Sequence, residues 1–461
     1  MEMTDDIDLI VNHPKKAINK LAVPIILSNL LMMMNNIIDG IWVAGLGPDA
    51  LAAIGFVTPL FLALVGFANG LGAGSNSLIA RYIGAEDYEM AGNSAIHTIM
   101  LSVIVTIITT VCLSLILRNL LLIMGAADVL DLSLSYGYIV ILGSFSVFIP
   151  AMVSAIFRSE GEVKRASRPL MLTAIINIIL DPIFIYVFGW GVAGAASATV
   201  LAGAISIIPM AYWMFVKRDS FLEIKLSEYK RDFGIYKDIL VVGIPASIEQ
   251  FIISFVSILM NYWLTILSGT VAVAAYTAAW RLVSVGISPL IGIGIASLTV
   301  GGAAYGARNL TNLKTALNYG IKLGIISSCI ICAVFFIFAE PLSFIFSYSG
   351  DSAALGPNIV EALRILCFFF VLMPLGILAG NMFQAMGKGT ISLALTILRS
   401  FILEVIFAGL LAFTFNLGEV GIYAGLVVGM SVGSVIGYIY INYYLKKHES
   451  YFTSQQKIYK G

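Results

Sequence analysis

Apolar residues run through this chain in long stretches broken by short polar segments, without sustained polar–apolar alternation. A bilayer core about 30 Å thick takes about 20 apolar residues of helix. The pattern therefore predicts membrane-spanning helices rather than the alternating strands of a barrel. Twelve spans are expected, at 17–44, 51–80, 93–117, 133–157, 168–188, 191–216, 238–267, 273–300, 315–339, 359–385, 391–415 and 419–445. The 43 glycines fit helices that pack closely in lipid.

Composition agrees. Of the 461 residues, 59% are hydrophobic and 11% charged, against roughly half and a quarter in soluble domains. The fold class is thus an all-α integral membrane protein. The net charge of +0 gives no field for nucleic acid, and no nucleic-acid partner is expected. Cys112, Cys329, Cys332 and Cys367 all lie in apolar runs and read as small buried hydrophobes, with no metal site. The first 14 residues are polar and acidic, so the first span is expected to direct insertion.

Lys and Arg are distributed asymmetrically. Of the 26, Arg118 lies on the opposite side and Arg281, Lys322, Arg364 and Arg399 lie in or near spans; the other 21 fall in one alternate set of loops and the two ends. The positive-inside rule then places both termini in the cytoplasm of a cell (plasma) membrane protein. The charged stretch 217–237 reads as a cytoplasmic linker between an N-terminal lobe (1–216) and a C-terminal lobe with cytoplasmic tail (238–461).

The two lobes resemble each other. LAVPIILSNL (21–30) aligns with VVGIPASIEQ (241–250), matching Pro24 to Pro245. Gly84 matches Gly306 in the next segment, and Asp181 matches Glu404 in LTAIINIILDPIF against LTILRSFILEVIF. Six-helix repeats running in the same direction are a transporter architecture, with the substrate path between the halves.

Within the spans, Asp39 and Asp181 stand out. An ionised Asp at a bilayer centre costs roughly 2.5–3.5 kcal/mol on insertion scales, so such residues usually face cavities and handle ions. Each follows an Asn by four residues, Asn35 and Asn177, on one helix face. At 1.5 Å per residue, Asp39 lies about 9 Å inside Gly45, and Asp181 and Thr199 about 12 Å inside Gly189 and Gly191. Three helices thus bring two acids and a hydroxyl to one level. The set offers oxygens for a hard cation, or a carboxyl that takes up and releases H+. A hydrogen-bonded cluster joining helices is the plainer alternative. Asp181 precedes Pro182, which leaves carbonyls free one turn earlier.

The remaining intramembrane charges read first as structural. Arg399 and Glu404 are five apart, too far round an α-helix for ideal pairing, yet Arg281 and Arg399 are the cationic candidates for an ion pair with Glu404; Arg281 is alternatively expected to pair with Glu249 or to contact substrate. Glu361 and Arg364 are expected to pair locally. The chain lacks HExxH, a metal-spaced Cys/His set and a phosphate loop, so no enzyme and no cofactor is expected.

The segments DGIWVAGLGPDALAAIG (39–55), IARYIGAEDYEMA (79–91), FRSEGEVKRA (157–166), NIILDPIFIYVFGWGVAGAASAT (177–199) and AAYGARN (303–309) resemble the multidrug and toxic compound extrusion (MATE) transporters, in particular the archaeal DinF-like branch. The resemblance covers nearly the whole chain. It implies two pseudo-symmetric six-helix bundles of the MATE/MOP type around an alternately opening cleft. It implies antiport of amphipathic or cationic organic compounds against H+ or Na+. It also implies coupling roles for Asp39 and Asp181, with Asn177 and Thr199 as polar partners and Pro24 as the bending proline of the first helix. Where some relatives carry a Tyr near the first acid, this chain has Asn35. Relatives of another branch carry a seventh-helix acid; counting from Gly243 gives Ile253 here, with Glu249 on a different face, so no second site is expected. A lipid-linked precursor flippase of the same superfamily is the alternative, but it calls for a cationic cleft, and only Arg281 and Arg399 are candidates. The partners expected are small organic substrates and membrane lipids, with the chain acting as a monomer.

Overall fold

The computed structural model describes residues 4–217, 221–222, 229–347, 355–449 and 452, which hold helices and no strand. A short helix, Asp5–Asn12, precedes the first span. Among the described residues, eleven helices are long and apolar enough to cross a membrane: Pro14–Ala44, Pro48–Gly84, Tyr88–Ile123, Ala127–Ser159, Val163–Val187, Gly191–Lys217, Phe233–Gly269, Val271–Gly306, Leu310–Ile337, Gly389–Thr414 and Gly418–Lys447. The tenth expected span is a pair, Gly356–Leu366 and Phe369–Ala385, bent by 46°. Counted as one span, the pair brings the total to the expected twelve. The seventh and eighth spans meet with almost no loop, because Gly269 turns the chain alone at φ 74°, ψ −165°. Only glycine tolerates that backbone.

The repeat is visible in local geometry. Glu86 (φ 60°) precedes Asp87, whose carboxylate caps the third span by accepting from the Met90 amide. Arg308 (φ 51°) precedes Asn309, which caps the ninth span by accepting from the Asn312 amide. Both loops follow the matched glycines, Gly84 and Gly306. Each cap meets one of the donors a helix start leaves unpaired.

Two compact units emerge, one made of Met1–Ile10 with Val23–Ser247, the other of Val11–Ala22 with Ile248–Gly461. Against the expected boundaries at 216 and 238, the opening turns of the first and seventh spans are exchanged. In the first unit, Ile239–Ser247 fill notches at two glycines of the second span. A Cβ at Gly70 would lie 2.8 Å from the Gly243 carbonyl oxygen, and one at Gly74 2.3 Å from that of Ile239. In the second unit, the ninth span holds the chain's beginning: Asn312 Nδ2 donates to the Val11 carbonyl (2.8 Å) and Asn19 Nδ2 to Tyr319 Oη (2.8 Å). Of the expected linker, residues 218–220 and 223–228 lie outside the described residues, and 229–232 are irregular.

The eleventh and twelfth spans pack through a glycine comb. Added Cβ atoms at Gly421, Gly425, Gly429 and Gly433 would come within 2.6, 2.2, 2.4 and 2.7 Å of Ala412, Ala408, Glu404 and Arg399. On the twelfth span the step is always four residues. On the eleventh it is four, four and then five, and a π-turn over Ile397–Leu403 absorbs the extra residue. In a π-turn residues five apart share a face. This corrects the expectation that Arg399 and Glu404 diverge round an α-helix. GMSVG (429–433) spells the nucleophile-elbow pattern of hydrolases, but it lies in mid-helix with no strand before it, and its glycines serve packing.

Candidate functional site

The first, fifth and sixth spans bring the expected residues together in the first unit. Asn35 Nδ2 donates to Asn177 Oδ1 (2.8 Å), and Asn177 Nδ2 donates to Asp181 Oδ1 (2.9 Å) and, at 3.5 Å, to Thr199 Oγ1. Thr199 passes its own hydrogen to the Ala195 carbonyl (3.1 Å). Asn177 is therefore fully committed, and its amide orientation is fixed by its neighbours. Asp39 completes the cluster, with its carboxyl in hydrogen-bonding reach of that of Asp181. Asn177 and Asp181 are buried and Asp39 is half-buried.

The cluster is rich in acceptors and poor in donors. Asn35 Oδ1, Asp39 Oδ1 and Asp181 Oδ2 are buried without a hydrogen-bond donor. Buried acceptors left this way are costly unless another partner meets them. Two carboxyls sharing one site require a proton or a cation between them. The arrangement is thus chemically suited to either.

Two further side chains shape the site. Tyr136 of the fourth span is buried within electrostatic range of both carboxyls. It supplies a phenol from a helix the sequence reading did not connect to the site. Its sequence signal was a single tyrosine in an apolar run, which is too weak to place it. Toward the end of the first span, Tyr186 Oη donates to the Trp42 carbonyl and the two rings meet edge to face at 6.2 Å. Gly45 leaves room for that hydroxyl. Tyr186 sits on a π-turn, Ile183–Val187, directly after Pro182.

The second unit holds its own polar cluster. Ser392 Oγ donates to Glu249 Oε1 (2.7 Å), and Gln384 Nε2 reaches both Glu249 oxygens (3.3 and 3.4 Å). Arg399, buried against Gly376 and Gly433, lies in electrostatic range of Glu249 and Glu404. Glu404 is buried, with its Oε1 lacking a donor. The count from Gly243 had set Glu249 aside, yet it joins this cluster. Arg281, expected to pair with Glu249 or Glu404, is exposed and makes no ion pair among the described residues. The π-turn gives Arg399 that place instead. Arg364 pairs with Glu340 (3.1 Å) rather than with Glu361, because the helix Ala339–Ser347 packs beside it. The cysteines are free, and no group of metal-ligating side chains occurs among the described residues.

The family model described as MatE matches residues 24–183 and again 245–410. The chain belongs to the MatE family. The two matches open on Pro24 and Pro245, the pair aligned by the internal repeat. This MatE protein is 26% identical to the probable multidrug resistance protein YoeA of Bacillus subtilis, over 94% of its own length and 95% of that of YoeA. It is 26% identical to the probable multidrug resistance protein NorM of Thermotoga maritima, over 78% of each. Among solved structures, an outward-facing multidrug resistance MATE family transporter of the MOP superfamily superposes with a TM-score of 0.95 at 37% identity, covering 98% of this chain and 100% of that one. A MOP superfamily transporter from Pyrococcus furiosus superposes at 0.93, also at 37% identity, covering 97% and 99%. The MatE protein therefore has the fold of the MATE transporters, as expected.

Proposed function

We propose that this chain is a secondary active multidrug exporter that works by alternating access. It exchanges amphipathic or cationic organic compounds against a cation taken up in the first unit. The observation that carries the reading is the Asp39–Asp181 carboxyl pair, in which one oxygen of each carboxyl is buried without a donor, as is Asn35 Oδ1 beside it. The names of its relatives support multidrug compounds as the substrate class. Of H+ and Na+, the mutual hydrogen-bonding reach of the two carboxyls favours H+, because one proton bridges them directly. Asn177 holds Asp181, and Asn35 and Thr199 hold Asn177. We place the chain in the archaeal DinF-like branch, on the segments quoted above and the 37% identity to the Pyrococcus furiosus transporter. The bias of Lys and Arg supports a plasma-membrane protein with both termini cytoplasmic. A single chain is taken to be the functional unit. The flippase alternative loses weight, since of its two candidate cations Arg399 is buried among glycines and carboxylates, and Arg281 alone makes no cationic cleft for phosphates.

Pro24 is the proposed hinge. It lacks an amide hydrogen, and its ring crowds the preceding turn. The first span passes from one compact unit to the other between Ala22 and Val23, next to Pro24. The seventh span does so between Ser247 and Ile248, near Pro245. Asp39 lies about 22 Å further along the helix, so the cation site acts on the hinge through repacking. It shifts that equilibrium only by preferring one state.

Purified protein in liposomes tests both points. Dye export should follow an imposed H+ gradient and be indifferent to Na+; export driven by Na+ alone would overturn the choice of ion. In the same vesicles Pro24→Ala should keep cation binding and lose most export. Unchanged export would remove the hinge from the mechanism.

A further inference from the structure

His97 is fully buried in the third span and takes no part in the cluster above. Its ring is held on both sides. Nε2 accepts from the backbone amide of Asp232 (3.2 Å), and Nδ1 lies 2.8 Å from the Asn93 carbonyl oxygen. A backbone N–H can only donate, so Nε2 must carry a lone pair. Nδ1 must then carry the hydrogen that reaches Asn93. The geometry fixes a neutral imidazole in one tautomer.

His97 is one of three contacts at four-residue spacing on one face of the third span. Asn93 grips the peptide of Lys230 like a strand partner: Nδ2 donates to the Lys230 carbonyl (2.9 Å), and Oδ1 accepts from the Lys230 amide (3.3 Å). Glu89 forms an ion pair with Lys230 Nζ. The rings of Tyr229 and Tyr236 close over His97, with centroids 4.9 and 4.8 Å away. Residues 229–232, which lead into the seventh span, are thereby strapped to the third span within the first unit.

We propose that this strap is a proton-released latch, with His97 as its trigger. A proton added at Nε2 consumes the lone pair that the Asp232 amide needs, and turns that contact into donor against donor. Release frees the start of the seventh span, whose later turns lie in the Gly70 and Gly74 notches. The charges around His97 do not dictate the same outcome. The Asp232 carboxylate accepts from the Gly234 amide (2.7 Å), Arg231 lies over the Phe233 ring at 4.6 Å, and Lys230 is paired with Glu89. Tyr82 of the second span senses Asp232 and Asp238, and Tyr236 senses Arg231. The latch opens because an acceptor is lost, not because of net repulsion.

Hydrogen–deuterium exchange on the whole protein in nanodiscs tests this, read in a peptide covering residues 229–236. Rates are divided by those of a free peptide of the same sequence at the same pH. On lowering the pH from 7.5 to 5.5, wild-type protection should fall by about tenfold. His97→Gln offers an acceptor and a donor but takes up no proton, so its protection should stay level. Glu89→Gln should keep the wild-type pH response at a lower protection overall. Constant wild-type protection would overturn the proposal. So would an equal fall in wild type and His97→Gln, since another group would then be the trigger.

Discussion

Asp181→Asn should insert, fold and lose gradient-driven export, with Asp39→Asn giving the same phenotype. Asparagine has nearly the shape of aspartate. At position 181 it keeps an oxygen to accept from Asn177, and its new amide can donate toward Asp39. The cluster stays joined but no longer holds a proton between two carboxyls. Export should drop to the rate of protein-free vesicles, and the proton exchange that accompanies dye movement should vanish with it. Stability should move the other way. Asp181 has a buried oxygen without a donor, and removing a carboxylate that is poorly paired when buried is often neutral or stabilising. The melting temperature of Asp181→Asn is therefore expected to equal or exceed that of wild type. Lost transport together with a lowered melting temperature would point to a structural role only. Wild-type transport by both variants would remove the carboxyl pair from the coupling mechanism.

Gly429→Leu should cost the protein its fold. The Cβ of any residue at 429 would sit 2.4 Å from the Glu404 Cα and 2.5 Å from its nitrogen. Backbone cannot swing away as a side-chain tip can, so the twelfth span must separate from the eleventh. Overpacking against side chains typically costs about 1–3 kcal/mol, and a clash with backbone at the centre of a four-glycine comb should exceed that. It also pulls away the wall behind Arg399 and Glu404. Little or no monodisperse protein is expected on size exclusion, with a melting temperature far below wild type in whatever survives. Gly55→Ala is the matched control, because its Cβ would meet nothing within 4 Å. Normal yield and melting for Gly429→Leu would show that the comb is not a packing requirement.

The sequence carried the spans because burial in lipid writes itself into composition, and twenty apolar residues can hardly be read otherwise. Asp39, Asp181, Asn35, Asn177 and Thr199 were legible for the converse reason: polar groups in an apolar run are expensive and therefore conspicuous. Their depths followed from helical rise alone. What failed was angular register. A π-turn differs from α-helix by one residue in a turn, and nothing in ILRSFIL announces it. That one residue decided whether Arg399 faces Glu404, and with it the expectation for Arg281. Arg364 was misassigned for a related reason, since local spacing favoured Glu361 while tertiary packing supplied Glu340. Tyr136 stayed hidden because a buried tyrosine looks the same in sequence whether or not carboxyls lie beside it.

The exchanged opening turns bear on how the molecule can be divided. A half-chain cut in the linker would carry the Gly70 and Gly74 notches with nothing to fill them, since their occupants, Ile239–Ser247, lie beyond the cut. Its partner half would lack Val11 and Asn19, which Asn312 and Tyr319 hold. Each fragment should therefore be insoluble alone and recoverable on co-expression, when each lends the other its missing turns. A gene duplication that began with two separate six-helix proteins would have met the same demand.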